Sequence, residues 1–314
     1  MRIAVDAAGG EYAPHEIVKG AIKAAREYKV DIALVGKKPI LHVLAGRHLG
    51  KPGISIVEAS QTIEPHEPPM KAVRSKPDSS IVVGINLVKD GLASAFVSAG
   101  NTGAVVCAAL LNLKRIEGIE RPALGCIIDI TSSTPIFLID AGANVDCRPS
   151  HLVQFARLGT IYVEEVLGIS SPRVSLLNNG EEATKGNHLI LESYKLLKKT
   201  NLNFIGNVEG QDITKGKADI IVTDGFTGNI VLKTIEGLSD TFLSSLRQAG
   251  QRLGSLARRT DYREYGGACL LGVEGNVIIA HGRSQARAIK NAIGLAKQTV
   301  QRGISQIIEG ESYE

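Results

Sequence analysis

Short β-branched apolar runs alternate along this chain with longer segments whose apolar residues recur at helical spacing. Arg2–Val5, Ile32–Val35, Ile54–Val57 and Ala95–Ser98 read as strands, with helical segments over Pro14–Tyr28, 40–49, 79–90 and 101–114. Residues 58–77, rich in Pro and Glu, read as irregular. Ala123–Ile130 and Pro135–Ile139 are consecutive strands joined by Thr131-Ser132-Ser133-Thr134, a spacing that predicts an antiparallel hairpin. Further on, strands at Arg173–Leu176, Asn203–Ile205, Asp219–Val222 and Val277–Ala280 are separated by helices at Ser150–Leu167 and Glu181–Lys198 and a long helix beginning near Asn229. That long helix carries the stripe Val231, Ile235, Leu238, Phe242 and Leu246; a last helix, 284–303, has Ala288, Ala292, Leu295 and Ala296 on one face. The alternation predicts an α/β fold: a doubly wound, mostly parallel sheet with helices on both faces and a minor antiparallel hairpin. The expected organisation is a single two-lobed domain over 1–314, with a helical segment at about 228–260 projecting for dimerisation or docking.

Several strands run straight into polar, Gly-rich loops. Ile220-Ile221-Val222 leads into Thr223-Asp224-Gly225-Phe226-Thr227-Gly228-Asn229, and Phe96-Val97-Ser98 into Ala99-Gly100-Asn101-Thr102-Gly103. The grammar recurs at Ile139-Asp140-Ala141-Gly142-Ala143-Asn144 and at Ile205-Gly206-Asn207-Val208-Glu209-Gly210. Ligands of open α/β sheets collect outside the carboxyl ends of strands, where glycines allow close approach and free helix N–H groups favour an anion. A phosphorylated or otherwise anionic substrate fits that pattern.

Composition narrows the class. Aromatic residues make up 4% and Trp is absent, so the core is Ile, Leu, Val and Ala, as in parallel sheets. The net charge of +4 comes without basic clusters interleaved with aromatics, which argues against nucleic acid. Cys107, Cys126, Cys147 and Cys269 form no C-x-x-C pair, so reduced thiols and no metal site are expected, in a cytoplasmic protein. Met1-Arg2-Ile3-Ala4-Val5 enters a strand directly, and no apolar run reaches the ~18 residues of a membrane span. Arg247, Arg252, Arg258, Arg259 and Arg263 face only Asp261; they form either a solvated face or a docking surface for an acidic partner or an anionic membrane.

The candidate site residues each have a plain structural alternative. Asn101 and Thr102 cap a helix or bind a ligand oxygen. Asp140 and Asn144 share one loop and serve a turn or a ligand. Lys185, read near the first turn of the helix over Glu181–Lys198, opposes the macrodipole and so asks for an anion nearby. His281, between strand end and helix start, is structural or catalytic. Cys147 reads as an inert thiol. G-x-G-x-x-G after the first strand, the phosphate-loop motif G-x-x-x-x-G-K-[ST] and H-E-x-x-H are all absent, so no nucleotide cofactor is expected.

The ordered set VDAAGGEYAP (5–14), DGLASAFVSAGNTGA (90–104), LIDAGANVDCRPSHLVQFA (138–156), LLNNGEEATKGN (176–187), NFIGNVEGQDI (203–213), DIIVTDGFTGNIVLKTIEG (219–237) and YGGACLLGVEGNVIIAHGRS (265–284) resembles the bacterial acyl-carrier-protein:phosphate acyltransferases, the PlsX family. Ala8, Glu11 and Cys269 depart from its usual Met, Asp and Pro. The resemblance implies a fold of the isopropylmalate-dehydrogenase and phosphotransacetylase type. It also implies transfer of a long fatty acyl group from acyl carrier protein to inorganic phosphate, without metal or cofactor. The acyl phosphate would pass to a membrane glycerol-3-phosphate acyltransferase.

On that reading phosphate sits by Asn101, Thr102, Gly103 and Gly228-Asn229, with Lys185 offsetting charge. His281 stabilises the oxyanion or protonates the thiolate, and Asp224 orients one of these groups. Asp140 and Asn144 belong to the binding loops, while Arg247, Arg252, Arg258 and Arg259 meet the acidic carrier protein. The stripe along Val231–Leu246 serves core or homodimer packing, with peripheral membrane contact as the minority reading. The competing readings are a phosphate acetyltransferase-like enzyme using short acyl-CoA, a decarboxylating dehydrogenase, and a non-catalytic carrier-protein scaffold.

Overall fold

The computed structural model describes residues 1–50, 53–129, 135–248 and 264–311. The chain divides into two compact units, Met1–Glu117 with Tyr265–Glu309, and Gly118–Glu264 with Gly310–Glu314.

In the first unit the strands are β1 (Arg2–Asp6), β2 (Asp31–Gly36), β3 (Ile54–Glu58), β4 (Ala95–Ser98), β10 (Ala268–Leu271) and β11 (Asn276–Ile279). They lie in the order β3-β2-β1-β4-β11-β10. All neighbours are parallel except β10 and β11, an antiparallel pair not anticipated from the sequence. Flanking helices are α1 (His15–Tyr28), α2 (Lys38–Ala45), α3 (Pro69–Ser75), α4 (Ser80–Lys89), α5 (Thr102–Asn112), α9 (Ala286–Gln301) and α10 (Ile304–Gly310). Helix α3 lies inside the stretch read as irregular; Pro69 starts it, where a missing N–H costs nothing. Ile3, Ile32, Leu34 and Phe96 are fully buried, which is why these strands read as unbroken apolar runs. Burying a side chain the size of Phe96 contributes about 1.5–3 kcal/mol.

The second unit holds β5 (Ala123–Ile128), β6 (Ile136–Ile139), β7 (Val174–Leu177), β8 (Phe204–Val208) and β9 (Ile220–Val222), in the order β5-β6-β9-β7-β8. The expected hairpin is present: β5 and β6 pair antiparallel, Cys126 opposite Leu138. The pairs β6–β9, β9–β7 and β7–β8 are parallel, so the loops after these four strands emerge at one edge. Among the described residues its longer helices are α6 (Pro149–Tyr162), α7 (His188–Leu197) and α8 (Gly225–Gln248). Phe137 of β6 stacks on Tyr162 of α6, ring centroids 4.4 Å apart.

Three boundaries differ from the sequence reading. Helix α7 starts at His188, not near Glu181, because the Asn187 side chain caps it by accepting the Ile190 N–H at 3.0 Å. Helix α8 starts at Gly225, four residues before Asn229. Strand β8 continues through Asn207 and Val208, so the polar loop begins only at Glu209. Among the described residues, no helix is long and apolar enough to cross a membrane.

Candidate active site

In the first unit, loops leaving the carboxyl ends of the adjacent parallel strands β1, β4 and β11 interlock. Asp6 ends β1 with its carboxylate buried. Its Oδ1 accepts the Ala8 and Gly9 N–H groups at 3.0 Å each, and its Oδ2 accepts the Ser98 hydroxyl at 2.7 Å. Ser98 Oγ accepts the Gly100 N–H at 3.0 Å, and Ser98 O accepts the Ala280 N–H at 2.8 Å. Glu11 N–H donates to Gly282 O at 2.8 Å, closing a ring through all three loops. A Cβ on Gly9 would lie 2.3 Å from Asp6 Oδ2, so only glycine fits there. Burial pushes the Asp6 carboxyl up from its ordinary range, opposed by the bonds from Ser98, Ser80, Ala8 and Gly9.

This ring carries four of the residues expected from the sequence, Asn101, Thr102, Gly103 and His281. Asn101 caps α5, Oδ1 accepting the Ala104 N–H at 3.1 Å, and its Nδ2 faces the carbonyls of Glu64, Pro65 and Glu67 at 3.2 Å each. Both ends of that amide are therefore engaged within the protein, in a strut that ties the 64–67 loop to the helix start. Thr102 is exposed in the first turn of α5, next to Gly103. His281 Nδ1 accepts the Arg283 N–H at 3.1 Å, which assigns the proton of the neutral ring to Nε2.

In the second unit Asp140 is fully buried and accepts five hydrogen bonds. Leu124, Gly142 and Ala143 N–H groups donate to Oδ1 at 2.9–3.0 Å; Asn144 donates to Oδ2 from both its backbone N–H and its Nδ2, at 2.8 Å. Burial raises this carboxyl's pKa, while these donors favour the carboxylate. All five contacts are N–H donors, and the ionised form is the one that geometry accommodates.

Asn144 O accepts the Gly225 N–H at 2.7 Å, which locks the loop onto the start of α8. Asp224 caps that helix, accepting the Thr227 N–H at 2.9 Å and hydroxyl at 2.8 Å. Gly228 N–H is spent on Asp224 O inside the helix, so the open anion site expected at Gly228-Asn229 is not formed by that amide. Asn229 is exposed one residue on, beside Gly142. Thus Asp140, Asn144, Asp224, Gly228 and Asn229 come together. Cys147 sits beneath them; burial and the charges of Asp140 and Asp224 push its thiol up to about 12, in keeping with an inert thiol.

Lys185 belongs to the loop after β7, upstream of the α7 cap, so the macrodipole argument does not apply to it. Its Nζ pairs with Glu182 at 2.9 Å, and this partner raises its pKa. Asn178 Nδ2 donates to the carbonyls of Gly180 and Lys185 at 3.0 Å each and shapes the loop. Arg252, Arg258, Arg259 and Arg263 lie outside the described residues, as does the side chain of Arg247. Among the described residues no His, Cys, Asp and Glu cluster has the makings of a metal site.

The family model for "Fatty acid synthesis protein" matches residues 1–307. A phosphate acyltransferase of Dehalococcoides mccartyi is 56% identical, over 98% of this chain and 93% of the relative. That of Desulforamulus reducens is 49% identical, over 100% and 98%. The chain belongs to this phosphate acyltransferase family. Membership makes it an acyltransferase of lipid biosynthesis. A phosphotransacetylase from Streptococcus pyogenes shares the fold at TM-score 0.65 and 17% identity, over 96% of this chain and 94% of that one. A 4-hydroxythreonine-4-phosphate dehydrogenase from Klebsiella pneumoniae does so at 0.59 and 13%, over 96% and 99%. Both show an α/β fold of the expected type.

Within this phosphate acyltransferase, sequence reasoning missed Asp6 and Ser98. A signal was present: Val5-Asp6-Ala7-Ala8-Gly9 and Ile139-Asp140-Ala141-Gly142 repeat one pattern, a strand ending in Asp-Ala before glycine. In both places the aspartate folds back to accept N–H groups of the loop that follows it.

Proposed function

We propose that this chain moves a long-chain fatty acyl group from an acyl carrier protein thioester to inorganic phosphate, giving acyl phosphate and the free carrier thiol. The observation that carries this reading is the full-length match, at 56% identity, to a phosphate acyltransferase. A phosphate oxygen attacks the thioester carbonyl, the C–S bond breaks, and the thiolate leaves. Phosphate is partly dianionic near neutral pH, so it needs positioning more than deprotonation. The N–H groups at Thr102 and Gly103, opening α5, suit phosphate oxygens. His281, protonated at Nε2, donates to the carbonyl oxyanion or to the departing thiolate, and Lys185 supplies positive charge. Asn229 faces ligand, while Asp140, Asn144, Asp224 and Gly228 hold the loops that present it. No metal or cofactor enters this chemistry.

The carrier protein docks at the segment bearing Arg247, Arg252, Arg258 and Arg259. A homodimer forms through α8, where Leu238 and Phe242 are 67% and 48% exposed in the single chain. The acyl phosphate feeds a membrane glycerol-3-phosphate acyltransferase, so the chain works in the cytoplasm, with peripheral contact at the cytoplasmic membrane face.

Incubation with palmitoyl-acyl carrier protein and inorganic phosphate, with palmitoyl-CoA and acetyl-CoA in parallel, tests the proposal. Phosphate-dependent acyl phosphate from the carrier thioester is expected. Product from acetyl-CoA alone would replace it with the phosphotransacetylase reading, which the shared fold favours. No product from any donor would leave a scaffold.

A further inference from the structure

The loop over residues 178–187 rests on a buried side chain that none of these roles uses. Asn207, next to last in β8, is 8% exposed. Its Nδ2 donates to Glu182 O at 3.1 Å, and its Oδ1 has no hydrogen-bond partner among the described protein groups. The amide orientation is fixed, because a flip would set Oδ1 against the Glu182 carbonyl. A buried acceptor left without a donor is costly, so a matching N–H or O–H belongs beside this oxygen.

The surrounding charges decide which kind of donor. Lys185 pairs with Glu182, Lys215 with Asp212 at 3.1 Å, and Lys217 with Asp212 at 2.9 Å and with Glu181. Glu209 adds another carboxylate, its Oε2 accepting from Gln211 Nε2 at 2.6 Å. Lys185, Lys215 and Lys217 thus stand against Glu181, Glu182, Glu209 and Asp212, one negative charge in excess. Phosphate presents mainly acceptor oxygens to this acceptor, whereas a neutral N–H donor fits it. A carrier-protein thioester presents such donors, since its pantetheine arm contains amide groups. Strand β8 ends the strand order, so no further strand covers the outer edge along which an extended arm would lie beside Asn207.

We propose that Asn207 Oδ1, beneath the Lys185 loop, accepts an amide N–H of the acyl donor's pantetheine arm, making residues 178–187 and the end of β8 a subsite for that arm. The subsite rests on the acyl-carrier reading above.

The test compares two donors with inorganic phosphate: palmitoyl-pantetheine, and the palmitoyl thioester of 2-mercaptoethanol, which has no amide. The wild-type chain is expected to favour the amide-bearing donor by roughly tenfold in kcat/KM, the usual weight of one buried hydrogen bond. In Asn207→Ala and Asn207→Ser, both checked for a native melting transition, that ratio is expected to fall to about one. A ratio unaltered by either substitution would overturn the subsite, whether overall activity drops or not, because a purely structural role lowers both donors alike. If wild type makes no acyl phosphate from any donor, the acyl-carrier reading fails on its own. Ligand-observed NMR with pantetheine then decides the subsite: binding to wild type that Asn207→Ala abolishes keeps it, and no binding to wild type ends it.

Discussion

Gly228 lies so close to Asp140 that a Cβ at position 228 would stand 1.9 Å from the Asp140 carbonyl oxygen. This is backbone against backbone, and neither side can yield without moving the start of α8 or the 140–147 loop. Gly228→Ala is therefore expected to destabilise the chain by about 1–3 kcal/mol, the range for overpacking, and to depress acyl phosphate formation. Thermal unfolding and the acyl-carrier assay read the two effects; an unchanged melting temperature would show that the approach is looser than described.

Lys185 is exposed and its only described ion pair, with Glu182, is on the surface, so its removal has little to destabilise. Lys185→Ala is expected to keep the native melting temperature and lose acyl phosphate formation by about a hundredfold, the scale for a group that stabilises developing charge. Glu182→Gln, which frees the ammonium, should retain activity. Near-normal turnover in Lys185→Ala would remove the lysine from the mechanism.

The Arg283 N–H donates to His281 Nδ1, which leaves the proton of the neutral ring on Nε2. Replacing His281 with Ala is expected to lower kcat by about 10²–10⁴-fold, the range for a lost proton donor in the transition state. His281→Gln keeps an N–H donor without a titrating proton. Recovery of part of the rate in Gln would assign oxyanion donation, and no recovery would assign proton transfer to the thiolate.

Asp212 is buried between Lys215 and Lys217. Burial raises its carboxyl, but bonds from Lys217, Glu209 N–H and Lys215 outweigh that and hold it down at about 2. The folded pKa lies below the unfolded one, so the stabilisation is full above about 4 and lost as pH falls from there towards about 2. Asp212→Asn is expected to lower stability at neutral pH and to flatten the acid limb across that window. Denaturant midpoints measured from pH 2 to pH 7 check it; parallel curves for both proteins would contradict the assignment.

The α/β class, the hairpin of β5 and β6, and most strands were legible because a strand buried on both faces must be written as a continuous apolar run, as at Phe137–Ile139 and Ile220–Val222. The loops were legible for a related reason: a chain turning sharply at a strand end needs Gly, Asn or Asp, and those residues stand out against Ile and Val. Less legible were helix starts. Caps compete with one another, and Asp224 and Asn187 won over the nearby polar residues through hydrogen bonds visible only in three dimensions.

The sequence by itself determined which residues line the strand ends, since periodicity and glycine placement depend on neighbours a few positions away. Only the tertiary structure decided what each side chain does there. Asn101 became a strut as well as a helix cap because carbonyls of residues 64–67 lie against it. Asp6 reached Ser98, 92 residues on, because parallel pairing sets β1 beside β4. Asn207 kept an unmatched oxygen because β8 runs on beneath the Lys185 loop. Hydrogen bonds act over about 3 Å, and separation along the chain carries no record of which distant groups will come that close.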